Sequence, residues 1–201
     1  KEANSGGMPP IHLATCGLQA IVIEGTAKPN RRYRLFLSSQ EARLEPVEEL
    51  AGCGNYETVA AQRRQFGEGI SCISIGPAGE MRLAAASIAV TDVEGRPTRH
   101  CGRGGLGAVM GAKGLKVIVI DPQDGRRPQP RDPRRFKQGV ERFNTALMKH
   151  PLTSEGLPKY GTNALANVIN AAGALPTHNF QTGQFEGTES ISGEQQHDTI
   201  L

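Results

Sequence analysis

Apolar residues in this chain fall into short runs of two kinds, and glycine separates most of them. LQAIVIEGT (18–26) and LKVIVID (115–121) are continuous β-branched runs of the sort a buried strand carries. RRYRLFL (31–37) alternates like a half-exposed strand, and EARLEPV (41–47) can fold back on it as a hairpin. ISCISIG (70–76) predicts a further strand, PAGE a turn, and MRLAAASIAVTD (81–92) another strand-like segment. NYETVAAQRRQFG (55–67) places Val59 and Phe66 on one helical face, with Asn55 as N-cap and Gly67 just past the end. Pro9 suits the first turn of a short helix at 9–16, and 104–113 predicts another. Beyond residue 121 a linker rich in Pro, Arg and Asp leads to two further helices. One runs over 132–150 with Asp132 as N-cap, the other over 161–173 closed by Gly173; the tail from Gly183 reads as irregular. The pattern therefore predicts an α+β unit over 1–121 and, over 122–201, a linker and the start of a helical domain.

Two of these segments are copies of one another. SGGMPPIHLATCGLQAIVIE (5–24) and RGGLGAVMGAKGLKVIVID (103–121) share a Gly-Gly pair, a short helix, Gly-Leu-polar and a β-branched strand with a terminal acid. The second copy follows a complete strand–turn–strand (70–92), whereas the first opens the chain, and residue 1 is Lys. The chain is therefore expected to be a fragment, with half of a duplicated fold upstream.

Composition narrows the function classes. Among 201 residues, 25 are glycine and none is tryptophan, which suits many close backbone approaches. A net charge of +3 is too small to point to nucleic acid, and the basic run at 124–137 is broken by prolines and aspartates as a solvated linker would be. The four cysteines, Cys16, Cys53, Cys72 and Cys101, match no zinc or iron–sulfur spacing. No apolar run has the length of a membrane span or the form of a signal peptide, so a reduced, cytoplasmic setting without membrane contact is expected.

The densest chemistry lies in RHCGRGGLGAVMGAKGLKVIVID (99–121). Its formal G-x-G-x-x-G (Gly102, Gly104, Gly107) follows a polar stretch instead of the hydrophobic strand a dinucleotide fold requires. A P-loop fails because no Gly-Lys-Ser/Thr is present there. Close helix–sheet packing accounts for Gly104, Gly105, Gly107 and Gly111 but leaves Arg99 and Arg103 unexplained. Bared backbone amides beside two arginines instead form a site for an anion such as phosphate. The repeat places Asn4-Ser5-Gly6-Gly7 at the equivalent corner, so the duplicated fold offers two such sites side by side.

ANSGG (3–7), IVIEG (21–25), SIGPAGE (74–80), GRGGLGAVMGAKGLK (102–116), GLPKYGT (156–162) and NFQTG (179–183) occur in the order in which they occur in one known family. The chain resembles the N-terminal part of the aldehyde ferredoxin oxidoreductases, enzymes with a tungsten, sometimes molybdenum, bis-pyranopterin cofactor. The resemblance implies an α+β fold of two intertwined β-sheet/helix repeats, followed by the start of a helical domain. It implies oxidation of an aldehyde to a carboxylic acid, with electrons passed through a [4Fe–4S] cluster to ferredoxin or an electron-transfer subunit. The cluster ligands would lie outside this chain, and the longer protein could form a homodimer. Carried over, the main-chain carbonyls of Asn4 and His100 would ligate a magnesium ion bridging the pterin phosphates, and Gly6, Arg99, Gly102 and Arg103 would line those phosphates. No catalytic residue falls within this chain, which by itself should not turn over.

Two departures from the family pattern stand out. Met8-Pro9-Pro10 follows Gly7 where an aromatic and small residues are usual, and Pro10 removes an amide. Cys101 stands where a small apolar residue is usual, as a buried thiol could. Elsewhere, His12, His150, His178 and His197 form no metal-like spacing. Glu80 reads as a turn residue that caps a neighbouring helix or pairs with an arginine, while Lys159 and Tyr160 lie either near a pterin or at a packed helix corner. Two other functions remain open: reduction of another substrate, such as an aromatic acyl thioester, with the same cofactor, and a non-catalytic phosphate- or nucleotide-binding module.

Overall fold

A computed structural model describes residues 1–29 and 31–200, which divide into two compact units, Lys1–Gln129 and Pro130–Leu201. In the first unit a six-stranded mixed sheet has the order β2-β1-β6-β3-β4-β5. Its strands are β1 (Tyr33–Leu37), β2 (Ala42–Pro46), β3 (Ser71–Ser74), β4 (Ile88–Val90), β5 (Arg99–Cys101) and β6 (Leu115–Ile120). The helices of this unit are α1 (Pro9–Thr15), α2 (Asn55–Phe66), α3 (Pro77–Glu80) and α4 (Leu106–Ala112).

The strand β6 explains its own continuous apolar run. It pairs in parallel with β1 and antiparallel with β3, and all six of its residues are buried. Side chains alternate across a strand. Val117 and Val119 accordingly join the core with Phe36, Val47, Cys72 and Val59 of α2. Ile118 and Ile120 join the other core, with Leu37, Ile75 and Met110 of α4, against which Leu13 of α1 also packs. A strand that serves two cores has no polar face to show.

The first copy of that run behaves differently. Residues 18–26 form no strand: Leu18, Ile21 and Ile23 lean half-buried on the second core, while Val22 is 81% exposed. β-branched residues favour extended backbone, but a strand exists only when a neighbour takes its hydrogen bonds. Among the described residues its backbone is held only at the ends: Leu18 N–H donates to the Leu13 carbonyl (2.9 Å), Lys113 Nζ to the Gly25 carbonyl (3.2 Å) and, just beyond, Ala27 N–H to the Lys113 carbonyl (3.3 Å).

Other expectations shift by smaller amounts. Gly54, not Asn55, is the N-cap of α2, and the Glu57 carboxylate accepts its N–H at 2.8 Å. Asn55 is the first helical residue and its Oδ1 accepts from Ser74 Oγ at 3.0 Å. PAGE closes into one helical turn, the strand within 81–92 is confined to Ile88–Val90, and the polar RHC pairs as β5.

In the second unit α5 (Pro133–Lys149) begins at Asp132, whose carboxylate accepts the Arg135 N–H at 3.0 Å. None of its residues is buried, and Phe136 and Phe143 are exposed. A π-helical turn at Leu152–Gly156 leads to α6 (Leu157–Tyr160). The helix expected at 161–173 is a 3-10 turn, Gly161–Leu165, followed by α7 (Ala166–Ala171). The tail is more ordered than its polarity suggests, with a 3-10 turn at Thr188–Ile191 and α8 (Gly193–Thr199) capped by Ser192. Gly193 sits against Tyr160, where a Cβ would come within 2.7 Å of the tyrosine Cβ. Among the described residues no helix is long and apolar enough to cross a membrane.

α3 and α4 touch through bare backbone. A Cβ on Gly111 would lie 2.7 Å from the Gly79 carbonyl carbon, and one on Gly79 would lie 3.1 Å from the Gly107 oxygen. Backbone cannot swing aside as a side chain can. Gly111→Ala is therefore expected to destabilise the protein by about 1–3 kcal/mol, read as a lower urea midpoint, through overpacking.

Candidate functional site: two glycine corners on one cavity

The hairpin that presents β5 is built on one carboxylate. Asp92 Oδ1 accepts the N–H groups of Glu94 and Arg96, both at 2.9 Å, and Oδ2 accepts the Thr98 hydroxyl at 2.7 Å. The Thr98 hydroxyl foremost, then the backbone N–H of Arg96, holds this carboxyl down to about 2. With the turn fixed, β5 pairs along β4 with Ala89 opposite His100.

The chain then runs through Gly102 to Gly105 into α4. Gly104 and Gly105 have φ of +73° and +66°, a left-handed conformation that glycine adopts without cost from a Cβ. The start of α4 is pressed onto residues 84–87: Gly107 N–H donates to the Ala86 carbonyl at 2.9 Å, and a Cβ on Gly107 would lie 2.8 Å from that carbonyl carbon. These are packing glycines. Gly102 is of another kind, because a Cβ there would meet nothing within 4 Å.

The first corner shows the same division. Gly7, at φ +124°, is packed so that a Cβ would fall 2.9 Å from Val90 Cγ1, and the Met8 N–H donates to the Thr91 carbonyl at 2.9 Å. Gly6 has open space where its Cβ would be. β4 thus carries the second corner through β5 and pins the first corner at its own end.

The two corners share a cavity of about 690 Å³ lined by Glu2, Ala3, Asn4, His100, Gly102 and Arg103. Four of the six residues singled out in the sequence, Asn4, His100, Gly102 and Arg103, meet there. Gly6 lies two residues beyond Asn4 and does not line the cavity, and Arg99 is exposed on β5 one residue before His100. Neither Arg99 nor Arg103 makes an ion pair among the described residues. His100 Nδ1 lies 2.9 Å from Ser87 Oγ, so one ring nitrogen is already engaged. Cys101 is half-buried beside Ser5, and burial pushes its thiol up, against a smaller opposing pull from the Ser5 hydroxyl.

Sequence reasoning missed Glu2, Ala3 and Ser87. The internal repeat could have pointed to the first two; nothing in the sequence marks Ser87. At the helix corner of the second unit, Tyr160 packs on Gly193 and lies edge-on to His197 at 5.7 Å. No group of three His, Cys, Asp or Glu side chains is placed to hold a metal among the described residues. The cavity therefore offers the Arg103 guanidinium, open backbone and carbonyls beside the Glu2 carboxylate, a set that suits an anion with many oxygens and a hard cation beside it.

A model of the aldehyde ferredoxin oxidoreductase N-terminal domain matches residues 1–122, and one of domains 2 and 3 of the same enzymes matches residues 138–201. The chain belongs to the aldehyde ferredoxin oxidoreductase family. Tungsten-containing aldehyde ferredoxin oxidoreductases from Pyrococcus abyssi and Pyrococcus furiosus are 38% and 37% identical to it over 193 and 194 residues. Each alignment takes in 96% of this chain and 30% of the relative, so the chain spans about a third of the length of these enzymes. The fold is also that of a chain in the active-site complex BamBC of benzoyl coenzyme A reductase with 1,5-dienoyl-CoA. The TM-score is 0.70 at 21% identity, over 98% of this chain and 30% of that one. The α+β fold of the family's N-terminal domain is thus the fold of this oxidoreductase-family chain.

The β4–β5 turn has an acid limit. Asp92 titrates at about 2 when folded against an ordinary 3.8, so its support is complete above about pH 4 and is lost as the pH falls from there towards 2. Asp92→Asn should lower the melting temperature at pH 7 and flatten its fall between pH 4 and pH 2, as followed by circular dichroism.

Proposed function

We propose that this chain is the part of a tungsten, or molybdenum, bis-pyranopterin oxidoreductase that grips the phosphate ends of the cofactor. The longer protein would oxidise an aldehyde to a carboxylic acid and pass electrons through a [4Fe–4S] cluster to ferredoxin. Membership of the family supports the class of reaction, and the tungsten-containing relatives support the metal and the aldehyde substrate. The observation that carries the assignment of the site is the pairing of the two repeated corners on one cavity, with Cβ clearance at Gly102.

The residues present fit the group. Among the described residues Arg99 and Arg103 have no carboxylate partner, and each can give charge-assisted hydrogen bonds to a phosphate. Gly6 and Gly102 leave room for phosphate oxygens to approach the backbone. The main-chain carbonyls of Asn4 and His100 would hold a magnesium ion between the two phosphates, which needs no particular side chain at either position. The bound metal–dithiolene supplies the redox chemistry. This chain positions it, neutralises its charge and contributes no acid, base or nucleophile.

Arg103→Ala in the full-length protein should cost about 1.5–3 kcal/mol of cofactor binding, the range for a hydrogen bond to a charged group, and lower the tungsten-to-protein ratio after dialysis. Gly102→Val should lower it too, while shifting the melting temperature far less than Gly111→Ala. Wild-type metal content in Arg103→Ala would remove that residue from the site. Full-length wild-type protein without tungsten or molybdenum would favour a phosphate-binding module that lacks the metal.

A further inference from the structure

One buried charge cluster lies outside the cavity. Lys116, the second residue of β6, has a side chain with no exposed surface. Its ammonium donates to Glu80 Oε1 and to the Cys53 carbonyl, the latter at 2.8 Å. Glu80 Oε2 accepts from Arg32 Nε at 3.2 Å and from the Gly52 N–H at 3.1 Å. Burial by itself would raise the Glu80 carboxyl, but the hydrogen bonds from Lys116 and Gly52 outweigh it and hold the group below its ordinary value. A buried ion pair is tolerated only when nearly every donor and acceptor is met, so this cluster fixes the position of Glu80 closely.

Glu80 is the last residue of α3, and residues 81–87 lead from it directly over the start of α4. At its near end this stretch follows the Gly79 peptide, which lies against Gly107 and Gly111. Farther along, Ala84 lies under Gly105, the Ala86 carbonyl accepts the Gly107 N–H, and Ser87 Oγ meets His100 Nδ1. A single eight-residue segment, 80–87, is thus tied at one end to the buried charge and at the other to the cavity wall.

We propose that Glu80, which does not line the cavity, is a positioning residue for the second glycine corner: its ion pair with Lys116 holds segment 80–87 against α4 and so sets where Gly102, Arg103 and His100 stand. The naming of this corner as a phosphate site rests on the function proposed above; the mechanical link does not.

The test uses the full-length protein with three variants and two readouts. Glu80→Gln leaves the Lys116 ammonium facing a neutral amide and should lower the melting temperature. Combining Glu80→Gln with Lys116→Met removes both charges and should restore most of that loss. Amide hydrogen exchange over 99–112 is nevertheless expected to be about tenfold faster in the double variant, with 60–66 of α2 unchanged, and tungsten content should fall. Glu80→Asp keeps the charge but shortens its reach, and should give an intermediate rise over 99–112. A double variant or Glu80→Asp with wild-type exchange over 99–112 would overturn the proposal. Wild-type protein without tungsten or molybdenum would instead overturn the phosphate-cofactor reading, and the exchange comparison would still decide the role of Glu80.

Discussion

The cavity depends on backbone lying directly on backbone beneath α4. A seven-residue helix has too few internal hydrogen bonds to persist alone, so α4 exists because its surroundings hold it. Those surroundings come close only because Gly105, Gly107 and Gly111 have no side chains where residues 84–87 and Gly79 pass. Met110 then reaches the core shared with Ile118 and Ile120. Removing the Cβ atoms thus does two things at once: it docks the helix, and it brings the preceding loop to a fixed place on the cavity wall.

The same sheet shows how strand pairing decides the fate of a repeated sequence. Two runs of near-identical apolar character occupy different states: Leu115–Ile120 is buried between two strands, whereas 18–26 lies extended with Val22 largely in solvent. Hydrophobicity alone cannot account for the contrast, since it is nearly equal in the two copies. What differs is the presence of β1 and β3 on either side of one of them. β6 also bears Lys116, a buried cation in an otherwise apolar strand, which is tolerable only because α3 delivers Glu80 and the loop before α2 delivers a carbonyl.

Much of this was legible in the sequence where a local rule acts alone. The positive-φ Gly67 after α2 and the Asp132 cap each follow from one residue, whereas the alternation of 31–37 marks a strand but not its exposure, since Arg34 is buried with Phe36 and Leu37. β5 was not legible, because three polar residues form a strand only when Asp92 has bent the chain back along β4. The glycine-rich stretch was legible only in part. Its packing glycines and its open ones look alike in sequence, and they separate when the space for a Cβ is measured: none at Gly105, Gly107 and Gly111, ample room at Gly6 and Gly102. Ser87 and the partnership of Glu80 with Lys116 depend on contacts across the fold and carry no sequence signature.

That separation of glycines also bears on where chemistry can reside. Burial raises the thiols of Cys16, Cys101 and Cys72, the last to about 12, and so disfavours their nucleophilic form. Asp92 is consumed by its own turn, and Glu80 by Lys116 and Arg32. The His100 ring is already tied to Ser87. With Asp92, Glu80 and the His100 ring committed to structure, the cavity wall is left with the Arg103 guanidinium, the open backbone at Gly102 and the Glu2 carboxylate, groups suited to holding a charged partner with its counter-ion. Under the proposed function, ligation through main-chain carbonyls would place no demand on the side chain at either position, so an asparagine in one repeat and a histidine tied to Ser87 in the other could stand at matching corners.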